Sequence, residues 1–167
     1  SERDRDSWHE DRALERRAGW EHGQMSPYAV TEQLEEMLCK YTGAPYAVAL
    51  NSCTAALLLS LLWWRVGLPR RKKCPLVGLP RRTYVSVACA AKLAGYEIEW
   101  RNENWIGEYR LTWTAISDSA RRFTSNMYST GFQCVSFAAS KILGAEQGGA
   151  ILHDHPQADA WFRRMRF

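Results

Sequence analysis

Residues 46–65 read YAVALNSCTAALLLSLLWWR, an apolar strand followed at once by an apolar helix. The first five residues have the length and composition of a buried strand. Residues 51–54, NSCT, are small and polar like helix caps, and the helix they open is predicted to run to about Arg65. A strand that leads directly into a helix is the repeating unit of α/β proteins. This stretch therefore predicts a layered α/β domain.

Strands and helices continue to alternate along the chain. The further strands are predicted at residues 75–79, 97–100, 113–118, 134–138 and 149–153. The further helices are predicted from Ser26-Pro27 to about residue 42, at residues 83–94 and from Pro156 onward, and residues 101–111 are predicted to be loop. We expect three layers, a mainly parallel sheet flanked by helices. Ligands of such sheets bind beyond the carboxyl ends of the strands.

The composition favours one globular domain. The chain has 167 residues, of which 46% are hydrophobic and 12% aromatic. We expect a polar arm over residues 1–24 and a single domain over residues 25–167. No apolar stretch is long enough to cross a bilayer, and we expect no secretory signal because the first residues are charged rather than apolar. The five cysteines are scattered and odd in number, which argues against a disulfide framework or a zinc site and favours the cytoplasm.

The net charge of +4 is unevenly distributed. Arg70, Arg71, Lys72 and Lys73 form a run, and Arg81 and Arg82 follow. Such a run can bind nucleic acid or can simply be a solvated loop. We do not expect nucleic acid as the main partner, because a nucleic-acid module would not explain the residues around Lys141.

Polar residues follow three predicted strands. Lys141 leaves an apolar strand, where partial desolvation would lower its pKa and allow a Schiff base, although a surface lysine is the ordinary alternative. Asp118 ends another strand, and a buried carboxylate needs a cationic partner. That partner could be a protonated pyridine nitrogen, or it could be Arg121 or Arg122.

Three further features fit the same chemistry. Ser52, Cys53 and Thr54 open a helix and could bind phosphate or could form an ordinary N-cap. Ser136 could be another phosphate donor or a small polar core residue. Tyr84 could stack on a flat cofactor or pack in the core. A phosphate cradle, an aromatic platform, a carboxylate and a lysine are the parts that a pyridoxal 5'-phosphate (PLP) site needs.

Four segments carry a family resemblance: VALNSCTAALLLSLL, LPRRTYVSVACAAKLAG, AISDSARR and CVSFAASKILGAEQGGAILHD. In this order they resemble motifs of the DegT/StrS-type family of PLP-dependent sugar aminotransferases. The resemblance runs from about Pro27 to Phe167. It implies the large domain of the fold-type I aminotransferase architecture, without the small C-terminal domain.

The resemblance also implies a role for each candidate residue. Lys141 would hold PLP as a Schiff base and move protons on the substrate, and Asp118 would keep the pyridine nitrogen protonated. Tyr84 would stack on the ring. The phosphate would be held by the Ser52, Thr54 and Ser136 hydroxyls and by the backbone of Cys53. Members of the family take an amino group from an amino acid donor, pass it to a nucleotide-linked keto sugar, and act as homodimers.

Departures from the family pattern leave alternatives open. Relatives are much longer, and they have more chain between Glu99 and Ile116. Arg121 stands where the family has Gln or His, which makes it a candidate substrate contact, and Ala138 stands where His is common. The pattern therefore supports PLP binding more than sugar specificity. The alternatives are a catalytically inactive, shortened paralogue acting as a partner subunit, and a PLP enzyme acting on a nucleotide or modified base.

Overall fold

The computed structural model describes residues 28–67 and 75–166. In these ranges the helices are α1 (Ala29–Thr42), α2 (Cys53–Val66), α3 (Val85–Leu93) and α4 (Pro156–Met165). The strands are β1 (Tyr46–Leu50), β2 (Leu76–Pro80), β3 (Glu97–Arg101), β4 (Tyr109–Arg110), β5 (Ile116–Asp118), β6 (Phe132–Ser136) and β7 (Gly149–His153). The predicted alternation of strands and helices is confirmed, and β1 and β7 have the predicted bounds.

The strands form a mixed sheet rather than a mainly parallel one. The larger sheet has the order β1-β7-β6-β5-β4, in which only β5 and β6 run parallel. Strand β7 is antiparallel to both β1 and β6, and β4 is antiparallel to β5. Strands β2 and β3 form a separate parallel pair, which a bridge between Gly78 and Thr112 connects to the chain after β4. The pairs β4–β5 and β6–β7 are antiparallel because short connections join strands that are consecutive in the chain, which a parallel pair does not allow.

Both faces of the larger sheet are covered, so the predicted three-layer arrangement is confirmed. Along β7, Ile151 packs into a core with α2, α3 and α4. Its neighbours Ala150 and Leu152 point to the other face, where they pack with Leu38 of α1 and with Met127. Successive residues of a strand face opposite sides, so this alternation shows one apolar core on each side of the sheet.

The described residues from Glu35 onward belong to one compact unit, which holds every described strand. The boundary predicted near residue 24 lies outside the described residues, as does the basic run at residues 70–73. No helix among the described residues is long and apolar enough to cross a membrane.

Several predicted element bounds are wrong around the middle of the chain. Residues 101–111 are not all loop, because the short strand β4 lies within them. The strand predicted from Trp113 begins only at Ile116, since Trp113 has a φ of 65° and occupies a turn. The helix predicted from Thr83 begins at Val85, because Tyr84 has the extended backbone of an N-cap residue.

Candidate functional site

Three strands deliver their carboxyl ends to the same edge of the sheet. Because β1 and β6 both run antiparallel to β7, they point the same way, and β5 runs parallel to β6. Ser52 and Lys141 lie in the segments that follow β1 and β6, and Asp118 is the last residue of β5. The sequence prediction that these polar residues share one edge is therefore met by the strand directions.

A cavity of about 520 Å³ lies at this edge. Four of the predicted site residues line it together: Tyr84, Asp118, Arg121 and Lys141. The other lining residues come from the segments before α3, before β4 and after β5, and they are Arg82, Thr83, Glu103, Asn104, Trp105, Ile106, Gly107 and Ala120. The cavity therefore places a lysine, a carboxylate and an aromatic ring around one volume.

Asp118 is the buried carboxylate of this cavity, with 6% of its surface exposed. Its Oδ1 accepts a hydrogen bond from the Ala120 N–H at 3.0 Å, and its Oδ2 accepts one from the Tyr109 hydroxyl at 2.8 Å. Burial raises the pKa of Asp118 above its ordinary value, although both hydrogen bonds and the nearby charge of Lys141 oppose that rise. The carboxyl end of β5 thus holds an anion in a site of low polarity.

The arginines considered as partners of Asp118 do not pair with it. Arg122 forms its ion pair with Glu108. Among the ion pairs of residues 28–67 and 75–166, none involves Asp118 or Arg121. An ionised carboxylate that is buried without a cationic neighbour at contact distance is costly, so Asp118 is suited to receive a cation from a bound molecule.

Lys141 lies in the connection between β6 and β7. The backbone N–H of Lys141 donates to the Ala138 carbonyl at 2.8 Å, which closes a turn. The two arms of the connection are held by hydrogen bonds from the Phe137 N–H to the Gly148 carbonyl at 2.9 Å and from the Ala139 N–H to the Glu146 carbonyl at 3.0 Å. These bonds fix the backbone that carries Lys141. Its side chain, which lines the cavity, has no ion-pair partner among the described residues.

Tyr84 is not a core residue, since 73% of its surface is exposed. It is the N-cap residue of α3, and its side chain makes no capping hydrogen bond. Because Tyr84 lines the cavity, its ring is available to a molecule bound there. The alternative of packing in the core is therefore wrong for this tyrosine.

The start of α2 has the features of an ordinary N-cap. The Ser52 Oγ accepts a hydrogen bond from the Ala55 N–H at 3.2 Å and donates to Asn51 at 3.1 Å. The Thr54 hydroxyl is hydrogen-bonded to Ser86 of α3 at 2.8 Å. The first N–H groups of a helix have no carbonyl partner within the helix, so those of Cys53 and Thr54 remain suited to an anion.

The Cys53 thiol itself is not suited to bind an anion. Its Sγ donates to the Cys134 carbonyl at 3.5 Å, and burial raises its pKa well above the ordinary value. Strand β7 passes close beneath this helix start. A Cβ at Gly149 would come within 2.5 Å of the Cys53 nitrogen, so only glycine permits this approach.

Ser136 ends β6, directly opposite Gly149 in the register of β6 and β7. Its Oγ accepts a hydrogen bond from the Ala138 N–H at 3.4 Å, which leaves its own proton available. Ser52, Cys53, Thr54 and Ser136 do not line the cavity that holds Lys141. The structure thus brings together the lysine, carboxylate and aromatic parts, and it leaves the four phosphate candidates on the same edge but outside that cavity.

Sequence reasoning missed residues that shape this site. Tyr109 and Thr83 are hydrogen-bonded to each other, and Tyr109 also bonds to Asp118. Trp105 packs against the Tyr109 ring at 4.8 Å between centroids. The one available signal was the concentration of aromatic residues in the segment predicted to be loop, WIGEY at residues 105–109.

The fold is similar to that of aminotransferases of known structure, at low sequence identity. The aminotransferase PseC from Helicobacter pylori, involved in pseudoaminic acid biosynthesis, matches with a TM-score of 0.65 at 16% identity over 81% of this chain and 47% of its own. A DegT DnrJ EryC1 StrS aminotransferase from Brucella abortus matches with a TM-score of 0.63 at 15% identity over 97% of this chain and 55% of its own. The E. coli GDP-4-keto-6-deoxy-D-mannose-3-dehydratase, solved with hydrated PLP, matches with a TM-score of 0.63 at 16% identity over 81% of this chain and 46% of its own.

The chain belongs to the DegT/DnrJ/EryC1/StrS aminotransferase family, whose model matches residues 7–99, more than half of the sequence. This match begins earlier than the predicted start near Pro27. It includes the start of α2 and all of α3, but it ends before Asp118 and Lys141. The chain spans about half the length of the structures it matches. No curated protein matches it at a significant level.

Proposed function

We propose that the chain binds PLP and acts as an aminotransferase, moving an amino group from an amino acid donor to a keto sugar that is linked to a nucleotide. The observation that carries this proposal is the shared cavity of Lys141, Asp118 and Tyr84 in a chain of this family. The site fits PLP at Asp118, because this buried carboxylate has no cationic partner and the protonated ring nitrogen of PLP would be one.

Each side chain then has a definite task. Lys141 is the covalent attachment point and, once released, the group that takes and returns a proton at the substrate carbon. Asp118 holds the ring nitrogen in its protonated state, and Tyr84 covers a face of the ring. The phosphate would extend along the same sheet edge, beyond the cavity, to the hydroxyls of Ser52, Thr54 and Ser136 and the N–H of Cys53. Bound there, PLP supplies an electron sink for the substrate's reacting carbon.

Arg121 is the proposed contact for an acidic substrate. It lines the cavity, it is exposed, and it forms no ion pair within the described ranges. The guanidinium can donate two parallel hydrogen bonds to the carboxylate of an amino acid donor or to a phosphate of the nucleotide. We place the reaction in the cytoplasm, where the four described cysteines, which are free thiols, would stay reduced.

A homodimer is the proposed assembly. Apolar side chains are exposed around the cavity and in the segments beside it, and they are Tyr84, Val85, Ile106, Ile142 and Leu143. Ile106 is 97% exposed. A second copy would cover these side chains and close the cavity, whereas water would meet them in a monomer. A charge in this patch, Ile142→Glu, is expected to weaken the dimer in sedimentation equilibrium at least tenfold. The same charge at the exposed Leu93 of α3 is the control.

The E. coli neighbour is a dehydratase, so the fold also accommodates a second outcome of PLP chemistry. A dehydratase would remove water from the keto sugar, whereas an aminotransferase would produce an amino sugar. An inactive partner subunit predicts neither product. Mass spectrometry of the sugar product distinguishes the three.

The first experiment is the visible absorption spectrum of the purified protein with PLP. We expect a band that survives dialysis, that is lost in Lys141→Ala, and that is retained in Lys92→Ala, which removes an exposed lysine from α3. Adding amino acid donors should then convert the bound cofactor to its amine form. A folded protein that shows no band with excess PLP contradicts the proposal. A stable band that no amino donor changes favours the inactive partner subunit.

A further inference from the structure

Three side chains form a hydrogen-bonded chain that ends on Asp118. The Tyr109 hydroxyl lies 2.8 Å from Asp118 Oδ2, and it is also bonded to the hydroxyl of Thr83. An ionised carboxylate can only accept, so Tyr109 donates to Asp118. Its single proton is then used, and Thr83 must donate to the Tyr109 oxygen. Both O–H groups therefore point toward the carboxylate.

The phenol of Tyr109 is held in place from several sides. Tyr109 is buried, and its strand β4 pairs with β5 so that Tyr109 lies opposite Asp118. The ring packs against Trp105 at 4.8 Å between centroids. Trp105 is itself fixed by a hydrogen bond from its indole N–H to the Arg82 carbonyl at 3.2 Å. The donor to Asp118 is thus a rigid part of the fold, not a freely moving side chain.

The electrostatics of the pocket make this donor important. Burial raises the pKa of Asp118, which favours the neutral acid, whereas pairing with a protonated ring nitrogen needs the anion. The groups that face Asp118 are Tyr109 from β4, Lys141 after β6, Cys53 from α2 and Cys134 from β6. Burial raises the pKa of both thiols, to about 12 for Cys134, so both stay neutral at physiological pH.

Tyr109 also stays a donor in this setting. Burial and the charge of Asp118 raise its pKa far above the ordinary value of a tyrosine, so the phenol keeps its proton. Of the groups around Asp118, Lys141 acts through charge, but its side chain is committed to the cofactor in the proposed function. The hydrogen bonds from Tyr109 and from the Ala120 N–H are then the interactions left to favour the carboxylate.

We propose that Tyr109 is a positioning residue for Asp118: from β4 it holds the carboxylate ionised and oriented to accept a proton-bearing ring nitrogen. The inference rests on the proposed function, and it assigns a role to a segment that the family match, which ends at residue 99, does not include. The short strand β4 supplies a support that the family motifs quoted above do not contain.

The test measures the titration of Asp118 in the protein without added cofactor, by NMR of carboxyl-labelled aspartate, with Asp118→Asn for assignment. Tyr109→Phe removes only the hydroxyl and keeps the ring on Trp105. We expect the pKa of Asp118 to rise by about 1, a tenfold change in proton affinity, since a hydrogen bond to the charged form is lost. Tyr96→Phe removes another buried phenol hydroxyl, which donates to the Leu61 carbonyl at 3.1 Å, and should leave Asp118 unchanged.

Thr83→Val provides a second, milder test, because the phenol remains but loses the donor behind it. A smaller rise in the pKa of Asp118 is expected. An Asp118 that titrates alike in wild type, Tyr109→Phe and Thr83→Val overturns the inference, and either variant alone decides it if the other does not fold.

A PLP titration of the same proteins separates this inference from the proposed function. We expect about tenfold weaker PLP binding in Tyr109→Phe and no change in Tyr96→Phe. Failure of every protein to bind PLP contradicts the proposed function, while the Asp118 titration still decides the role of Tyr109. PLP binding that is equal in wild type and Tyr109→Phe, with an unshifted Asp118, overturns the positioning role and leaves the proposed function standing.

Discussion

Arg163 of α4 and Glu35 of α1 form an ion pair although they are 128 residues apart in the chain. Glu35 is only 4% exposed, and it also binds Arg166 and accepts a hydrogen bond from the Ala49 N–H of β1 at 2.9 Å. Arg163 in turn binds Asp159 at 2.8 Å. One carboxylate thus ties the last described helix to the first described helix and to the first strand.

Loss of Glu35 should therefore destabilise the protein strongly. Removing this buried carboxylate takes one partner from Arg163, another from Arg166 and the acceptor from the Ala49 N–H. Breaking a buried ion pair costs about 3–5 kcal/mol, and the lower end is expected here because Arg163 keeps Asp159. Total stabilities of domains are only about 5–15 kcal/mol, so Glu35→Ala is expected to unfold at much lower denaturant concentration. The measurement is urea unfolding followed by circular dichroism. Glu36→Ala, at the exposed neighbouring position, is the control and should change stability by less than about 0.5 kcal/mol. Equal midpoints for the two variants would show that the ion pair contributes little.

The α1 helix shows why part of the fold could not be predicted. Its apolar spacing predicts a face that includes Met37, Leu38 and Tyr41. The structure buries Leu38 but leaves Met37 and Tyr41 exposed, and it buries the charged Glu35 instead. Apolar periodicity cannot reveal a buried carboxylate, because its partners Arg163 and Arg166 are distant in sequence.

Strands β1 and β4 show which strands can be predicted from the sequence and which cannot. Strand β1 is short, apolar and closed by cap residues, so the local sequence alone determines its bounds. Strand β4 has two residues and exists because Tyr109 and Arg110 pair with Asp118 and Ser117. Such a strand depends on its partner rather than on its own composition. That Asp118 and Lys141 lie together was predictable from strand ends, and Tyr84 was added by the family resemblance. The support of Asp118 by Tyr109 depends on the pairing of β4 with β5 and was not predictable.

The close approach of β7 to the start of α2 predicts a sharp effect at Gly149. In Gly149→Ala the new Cβ would lie 2.5 Å from the Cys53 nitrogen, 2.6 Å from the Ser52 carbonyl carbon and 2.8 Å from the Val135 oxygen, all backbone atoms that cannot rotate away. Overpacking of this kind costs about 1–3 kcal/mol. The displaced helix start should also bind PLP more weakly, because its N–H groups move.

Gly67→Ala is the matched control for this glycine. Its Cβ would meet only the Trp64 carbonyl oxygen at 3.6 Å, an ordinary contact, and its φ of −76° suits alanine. Stability and PLP affinity should therefore stay at or slightly above wild type. Urea unfolding and PLP titration on both variants check the prediction. An unchanged Gly149→Ala protein would mean that the helix start can retreat without consequence.

The raised pKa of Asp118 predicts that Asp118→Asn stabilises the folded protein more at neutral pH than at acidic pH. Because the folded-state pKa is raised above the unfolded value of about 3.9, the folded protein binds more protons between these two values. Stability conferred by the neutral acid is present below the unfolded pKa and is lost as pH rises through the folded pKa. At pH 7 the buried anion is therefore a cost, and Asp118→Asn should be more stable than wild type while losing cofactor-dependent activity.

The measurement is urea unfolding of both proteins at pH 4 and pH 7. The advantage of Asp118→Asn should shrink toward the acidic end. Glu97→Gln, an exposed carboxylate of β3, should show no such advantage at either pH. A variant that is less stable than wild type at pH 7 would mean that the hydrogen bonds from Tyr109 and Ala120 outweigh burial.

Arg121 provides the prediction for substrate binding. It lines the cavity and has no ion-pair partner in the described ranges, so an acidic substrate is its available counter-ion. Arg121→Gln should raise the KM for an acidic amino donor about tenfold, the loss expected for one charge-assisted hydrogen bond, and should change kcat much less. Arg81→Gln removes an exposed arginine that does not line the cavity and is the control. Steady-state kinetics with acidic and neutral donors separate the cases. If KM rises equally for both kinds of donor, Arg121 shapes the cavity rather than binding the substrate's charge.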